Sequence, residues 1–221
     1  MKNMTELLKQ LKDLVDDAIH ATALDTTPQT ELTQPRKQAL PLAIDRIQTR
    51  VHTLGTGEQL SAFKDATLEI LLKGGSGVAS NIRWTSSLVE VGIDKQIDGN
   101  ATVVIKNKPG SVCIITAQDV GTNETVIYAL AVKFFVTCDN KKHKYSDALQ
   151  NHNGNIATPA DHRLIYQQWG DLAEYPIWKT DDDYWTQEHD VDEVVVVNVR
   201  DGIEDRIKRN ILHTNYYMYK I

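Results

Sequence analysis

The sequence is poor in the residues that most often announce a function. Its 221 residues hold two cysteines, Cys113 and Cys138, too few for a disulfide framework. No run approaches the roughly 18–20 apolar residues of a membrane-spanning helix. The opening stretch, "MKNMTELLKQLKDLVDDAIH", carries acids and has no continuous apolar segment, so no secretory signal is read there. Lysine and arginine number 24 against 30 aspartates and glutamates, a net charge of −6. That balance argues against general nucleic-acid binding, which needs a basic face to neutralise phosphates. There is no internal repeat and no low-complexity tail. No motif implies a cofactor. These absences lead to the expectation of a chain that spans no membrane and is cytoplasmic or part of an assembled particle.

What is present divides into three textures. Residues 1–73 read as helical. Leu7, Leu11, Leu14, Val15, Ala18 and Ile19 form one stripe behind a possible Thr5 cap. "DTTPQTELTQP" breaks it. Leu40, Ile44, Ile47, Val51 and Leu54 suggest a second amphipathic helix, and Leu60, Phe63, Leu68 and Leu71 a third. "KGGSG" closes this part. Residues 78–138 are rich in β-branched residues separated by turn signals such as "DGN" and "KPG", which predicts an antiparallel meander of four or five strands. The last third mixes a polar loop over 139–161, a short helix near 162–172, the valine run "EVVVVNV" as a strand buried on both faces, a helix at "GIEDRIKRNIL" and a terminal strand at "TNYYMYKI". The expected class is α+β: N-terminal amphipathic helices, then a mainly antiparallel sheet with one or two C-terminal helices. The expected organisation is a helical arm or subdomain over 1–73 and an α+β domain over 74–221, with one continuous domain as the equal alternative.

Charge is uneven. Residues 139–221 carry ten basic and fifteen acidic side chains, while 74–138 carry five of each. The acidic centre is "DDDYWTQEHDVDE", where Asp181, Asp183, His189, Asp190 and Asp192 could offer oxygens and an imidazole to a hard cation. The stretch lacks the glycine and terminal glutamate of a calcium loop, so an exposed acidic loop that keeps the valine strand soluble is the competing reading. Cys138, His143, His152 and His162 have the ligand types of a zinc site, but their spacing matches no compact zinc pattern. A nuclease-like set of Asp98, Glu124 and Lys133 lacks the acid that should precede the lysine in "ALAVK". "KGGSGVAS" frees backbone N–H groups that could hold an anion, yet it has neither the Lys-Ser/Thr of a phosphate loop nor the GxSxG of a hydrolase elbow. Register counting sets Cys113 roughly opposite Ala129, so a bridge to Cys138 is not expected.

Two functions follow as expectations. The first is a structural or assembly protein, a subunit of a multi-chain particle such as a phage or virus head, neck or tail. It would contact itself or other subunits through Leu7, Leu11 and Leu14 and through Tyr216, Tyr217 and Tyr219, types that interfaces favour. The second is a metal-dependent hydrolase or nuclease using the acidic or histidine cluster. A regulatory module whose acidic face docks a basic partner is a third, weaker option.

Overall fold

The computed structural model describes residues 40–208 and 214–221. Strands begin where the second helix was expected. β1 (Ala43–Gln48) pairs antiparallel with β3 (Ala66–Lys73), which pairs with β6 (Asn100–Ile105), which pairs with β5 (Val91–Ile97). A second sheet joins β4 (Ile82–Ser86), β7 (Cys113–Asp119) and β8 (Glu124–Leu130) in that order. Four strands against three, with β6–β7 crossing between sheets, is the arrangement of an immunoglobulin constant-type sandwich. Leu68, Ile70, Val103 and Ile105 face Trp84, Ile115 and Ala117 across its core, and all are buried. Trp84 lies on the third sandwich strand, as in antibody domains, and its indole N–H donates to the Gly99 carbonyl at 2.9 Å. The antibody disulfide is missing: Cys113 and Cys138 are both free and buried. Cys113 pairs with Leu130, one residue from the counted register.

The expected helix-first α+β fold is therefore corrected. The elements within residues 43–73 are strands of the sandwich and of a small third sheet, and the only α-helices among the described residues lie after residue 144. The physical reason is that apolar residues at 60, 62, 63, 66, 68, 70, 71 and 72 satisfy both periods. Pairing decides between them. Ala66, Leu68 and Ile70 alternate inward on β3, and a left-handed Asp65 (φ 65°) makes the reversal that a helix could not contain. The expected meander is a two-sheet sandwich instead, and its last stretch breaks at Ala131 into β8 and β9 (Val132–Thr137). "EDRIK" is also a strand, β12 (Glu204–Lys208), where a helix was expected. The helix expected over residues 5–19, with Leu7, Leu11 and Leu14, lies outside the described residues.

Residues 132–221 add a second layer. β2 (Leu60–Phe63), between two sandwich strands in sequence, runs parallel to β9, whose other edge pairs with β14 (Tyr219–Lys220). A four-stranded sheet orders β12, β11 (Glu193–Val197), β10 (Tyr184–His189) and β13 (Tyr216–Tyr217). The valine run is β11, and Val194–Val197 are all buried because both faces are covered. On one face Trp185, Val194, Val196 and Tyr217 meet Tyr145 and Ala148 of α1 (Tyr145–Asn151). On the other, Tyr184 and Tyr216 join the core shared with the sandwich and with α2 (Pro159–Trp169).

α2 starts at a capping box. The Thr158 hydroxyl accepts from the Asp161 N–H at 3.1 Å, and Asp161 accepts from the Thr158 N–H at 2.8 Å, with Pro159 at the first helical position. Its last turn closes the open edge of β2: the Gln168 side-chain oxygen accepts the Ser61 N–H at 2.8 Å, and the Trp169 indole N–H donates to the Ser61 carbonyl at 2.6 Å. Phe63 then sits edge-on to Trp169, Tyr175 and Trp178 at centroid distances of 5.4, 4.8 and 5.4 Å. Each such pair contributes about 0.5–1.5 kcal/mol beyond burial. The sandwich and the second layer therefore share one core.

Candidate functional site

"KGGSG" does hold an anion, and the anion is the chain's own. Asp119, at the end of β7, is fully buried and accepts from the Ser76 N–H and from the Gly121 N–H at 2.8 Å. Burial pushes its carboxyl up, but these backbone N–H groups and that of Thr122 outweigh it and hold the group below the usual carboxylate range. A Cβ on Gly75 would stand 2.6 Å from the Asp119 carboxylate, at a φ of +67°. No room is left there for an outside ligand.

The acidic stretch is spread over three places. In the loop before β10, Asp182 pairs with Lys142 at 2.9 Å, and Asp181 takes the Tyr216 hydroxyl and a second contact from Lys142 at 3.4 Å. Asp183 accepts from the Asn198 amide at 3.0 Å. Its half-burial, and then the nearby Asp182, Asp205 and Asp201, raise its pKa over the opposing Asn198 bond. Asp190 closes the β10–β11 hairpin by accepting from the N–H groups of Glu193 and Asp192 at 2.8 and 3.0 Å, which holds it low. Asp192 is exposed at that tip beside Val191, which is 88% exposed. His189 meets the Tyr145 hydroxyl at 3.0 Å. Asp201 and Asp205, which sequence reading missed, complete the acidic face; the "RDG" turn after the valine run was the available signal.

The thiol and imidazoles do not converge on one point. Cys138 donates to the Ile177 carbonyl at 3.2 Å, and burial lifts its thiol to about 11, which makes it a poor nucleophile. His162 is buried within α2, and burial drives its pKa down to about 4 against the pull of Asp161. His143 and His152 do meet, across Tyr217. His143 lies 2.7 Å from Asp139 and edge-on to the Tyr217 ring, while His152 takes the Tyr217 hydroxyl at 2.9 Å and stacks on Tyr219 at 3.6 Å. Burial, then His143, lowers the His152 pKa, with Asp139 opposing. Among the described residues no group of three or more His, Cys, Asp or Glu side chains could hold a metal ion. Tyr216 and Tyr217 are buried and Tyr219 is partly so; all three serve the sheets. Asp98 opens the β5–β6 turn with φ 51°, Glu124 begins β8 and Lys133 lies on β9, so the nuclease-like set is divided among three sheets.

No family model matches the sequence, and no curated protein matches it. Solved structures do match. Invasin, a bacterial integrin-binding protein, superposes at a TM-score of 0.66 with 16% identity over 82% of this chain. The chain spans only 40% of that invasin chain. A C-terminal fragment of intimin, solved with the intimin-binding domain of the translocated intimin receptor, superposes at 0.65 with 15% identity over 83% of this chain and 67% of its own. An intimin mutant from EHEC O157:H7 superposes at 0.63 with 17% identity over 83% of this chain and its own whole length. At such identities the likeness is one of fold. It covers the sandwich and the second layer together, and it overturns both expected functions: these neighbours are receptor-binding bacterial proteins, neither particle subunits nor metal-dependent hydrolases. Among the described residues no helix is long and apolar enough to cross a membrane.

Proposed function

We propose that the chain is a recognition module that binds a protein on another surface, with the sandwich as a rigid base and residues 139–221 as the binding head. One observation supports the reading: the fold likeness to invasin and intimin spans 82–83% of this chain, sandwich and second layer together, and one of those matches is an intimin fragment solved with a receptor domain. The head's surplus of five acidic over basic side chains, with Asp182, Asp201 and Asp205 on one face, suits a partner with a basic patch. On this reading the chain works outside the cell that makes it.

The test is binding of the fluorescently labelled chain to cultured mammalian cells, with and without prior trypsin treatment of the cells. Saturable binding that trypsin abolishes, that salt weakens, and that the variant Asp182→Lys/Asp201→Lys/Asp205→Lys loses by about tenfold or more is the expected outcome. Absence of binding, or binding that survives trypsin and is removed by glycosidase, overturns the reading.

A further inference from the structure

A sheet edge offers a row of unpaired backbone N–H and C=O groups, and proteins usually blunt it. Among the described residues nearly all edges are blunted. β1 carries Asp45 and Arg46 and a bulge between Ile44 and Arg46; β5 carries Asp94 and Lys95 and an irregularity at the same place. β12 is almost wholly charged, "EDRIK". β4 is five residues long with Arg83 within it, and β13 and β14 have two residues each. The edge of β2 is closed by Gln168 and Trp169.

β8 is the exception. It has seven residues, pairs with β7 through all seven without a bulge, and after Glu124 reads "TVIYAL", with no charge and no proline. Among the described residues nothing pairs with its outer edge. Its outward side chains are Thr125, Ile127 and Ala129, with Ile127 59% exposed, and the adjoining β7 adds the exposed Ile114. A groove of about 430 Å³ runs alongside, lined by Ile127, by the β1 residues Ile44 and Ile47 and by the turn at Leu54 and Gly55.

We propose that the occupant is β8 of a second copy, paired antiparallel about a two-fold axis at Ile127. In that register Ile127 faces Ile127, Thr125 faces Ala129 and Glu124 faces Leu130. No like charges are opposed, and the β-branched centre is a favourable cross-strand pair. The two three-stranded sheets become one of six strands, and the contact is isologous. Charge favours a copy as the partner: residues 74–138 carry five basic and five acidic side chains, so this part does not repel itself, while the acidic surplus lies in residues 139–221. The proposal is independent of what the head binds.

The experiment uses the full chain in analytical ultracentrifugation across a concentration series, with two variants of the exposed Ile127. The parent dimerises reversibly. Ile127→Lys sets two cations face to face and weakens the dimer by about tenfold or more, with an unchanged circular dichroism spectrum. Ile127→Cys forms a covalent dimer on mild oxidation, whereas Val89→Cys, at an 87% exposed site off this edge, does not. If Ile127→Lys does not fold, Thr125→Lys takes its place. A parent that is monomeric at its solubility limit, a dimer untouched by the lysine, or β8 edge amides protected from hydrogen exchange in a monomer would each overturn the proposal, the last because the chain then covers its own edge.

Discussion

Asp119 and His162 are buried titratable groups with opposite consequences. Asp119 satisfies N–H groups on two loops, so Asp119→Ala leaves buried donors without acceptors and should cost on the order of 3 kcal/mol in urea unfolding. An unchanged midpoint would show that water replaces the carboxylate. His162 acts through protons. Its folded pKa of about 4 lies below the ordinary 6.5, so between those values the unfolded chain binds the extra proton. Stability is therefore full above pH 6.5 and falls as pH drops toward 4, by about 3 kcal/mol from this group. His162→Leu should flatten that part of the stability–pH curve. Parallel curves for the parent and the variant would refute the assignment. Neither role was legible in the sequence. His162 stood at the expected start of the short helix near 162–172 with no sign that it would be buried, and Asp119 lay in the polar stretch "QDVGTNE", which reads as a loop.

Among elements, the sequence was clearest where one period had no competitor. "ATVVIKN" and the valine run are strands, because alternation or continuous branching fits nothing else. It misled over residues 40–73, where leucines and isoleucines at mixed spacing satisfied a helical stripe and only partners distant in sequence chose the strand. "TPAD" was a helix-start signal, Thr158 cap and Pro159 first turn, and it sets the beginning of α2 before the residues where a helix was expected. The far end of α2 offers the sharpest element-level test. Gln168 and Trp169 complete the edge of β2, so Gln168→Ala should cost about 1–3 kcal/mol by orphaning the Ser61 N–H. A free β2 edge should also speed exchange of the Ser61 amide. Exchange unchanged from the parent would mean that the edge is held by β9 alone.

For the whole molecule, the shared core predicts one calorimetric transition rather than two. Phe63 comes from β2, between two sandwich strands in sequence, and its three aromatic partners from residues 169–178. Phe63→Ala should lower stability by about 3–5 kcal/mol and separate the transition into two. Two transitions in the parent would instead make the layers independent. The candidate site was half legible: the acidic stretch was visible at once, but its division into a salt-bridged loop, a hairpin tip and a half-buried Asp183 depends on Lys142, Asn198 and Arg206, which no sequence pattern connects to it.

The bonds from Gln168 to Ser61 also set a timetable. The two residues are 107 positions apart, so β2 cannot be completed until nearly the last quarter of the chain exists. At about 5–20 residues per second of synthesis, a strand made early waits roughly 5–20 s for its closing partner. During that wait "LSAF", buried at every position in the finished fold, is exposed. β2 and the head must therefore pack together at the end, and a chain held extended by a chaperone until it is complete loses nothing by the delay.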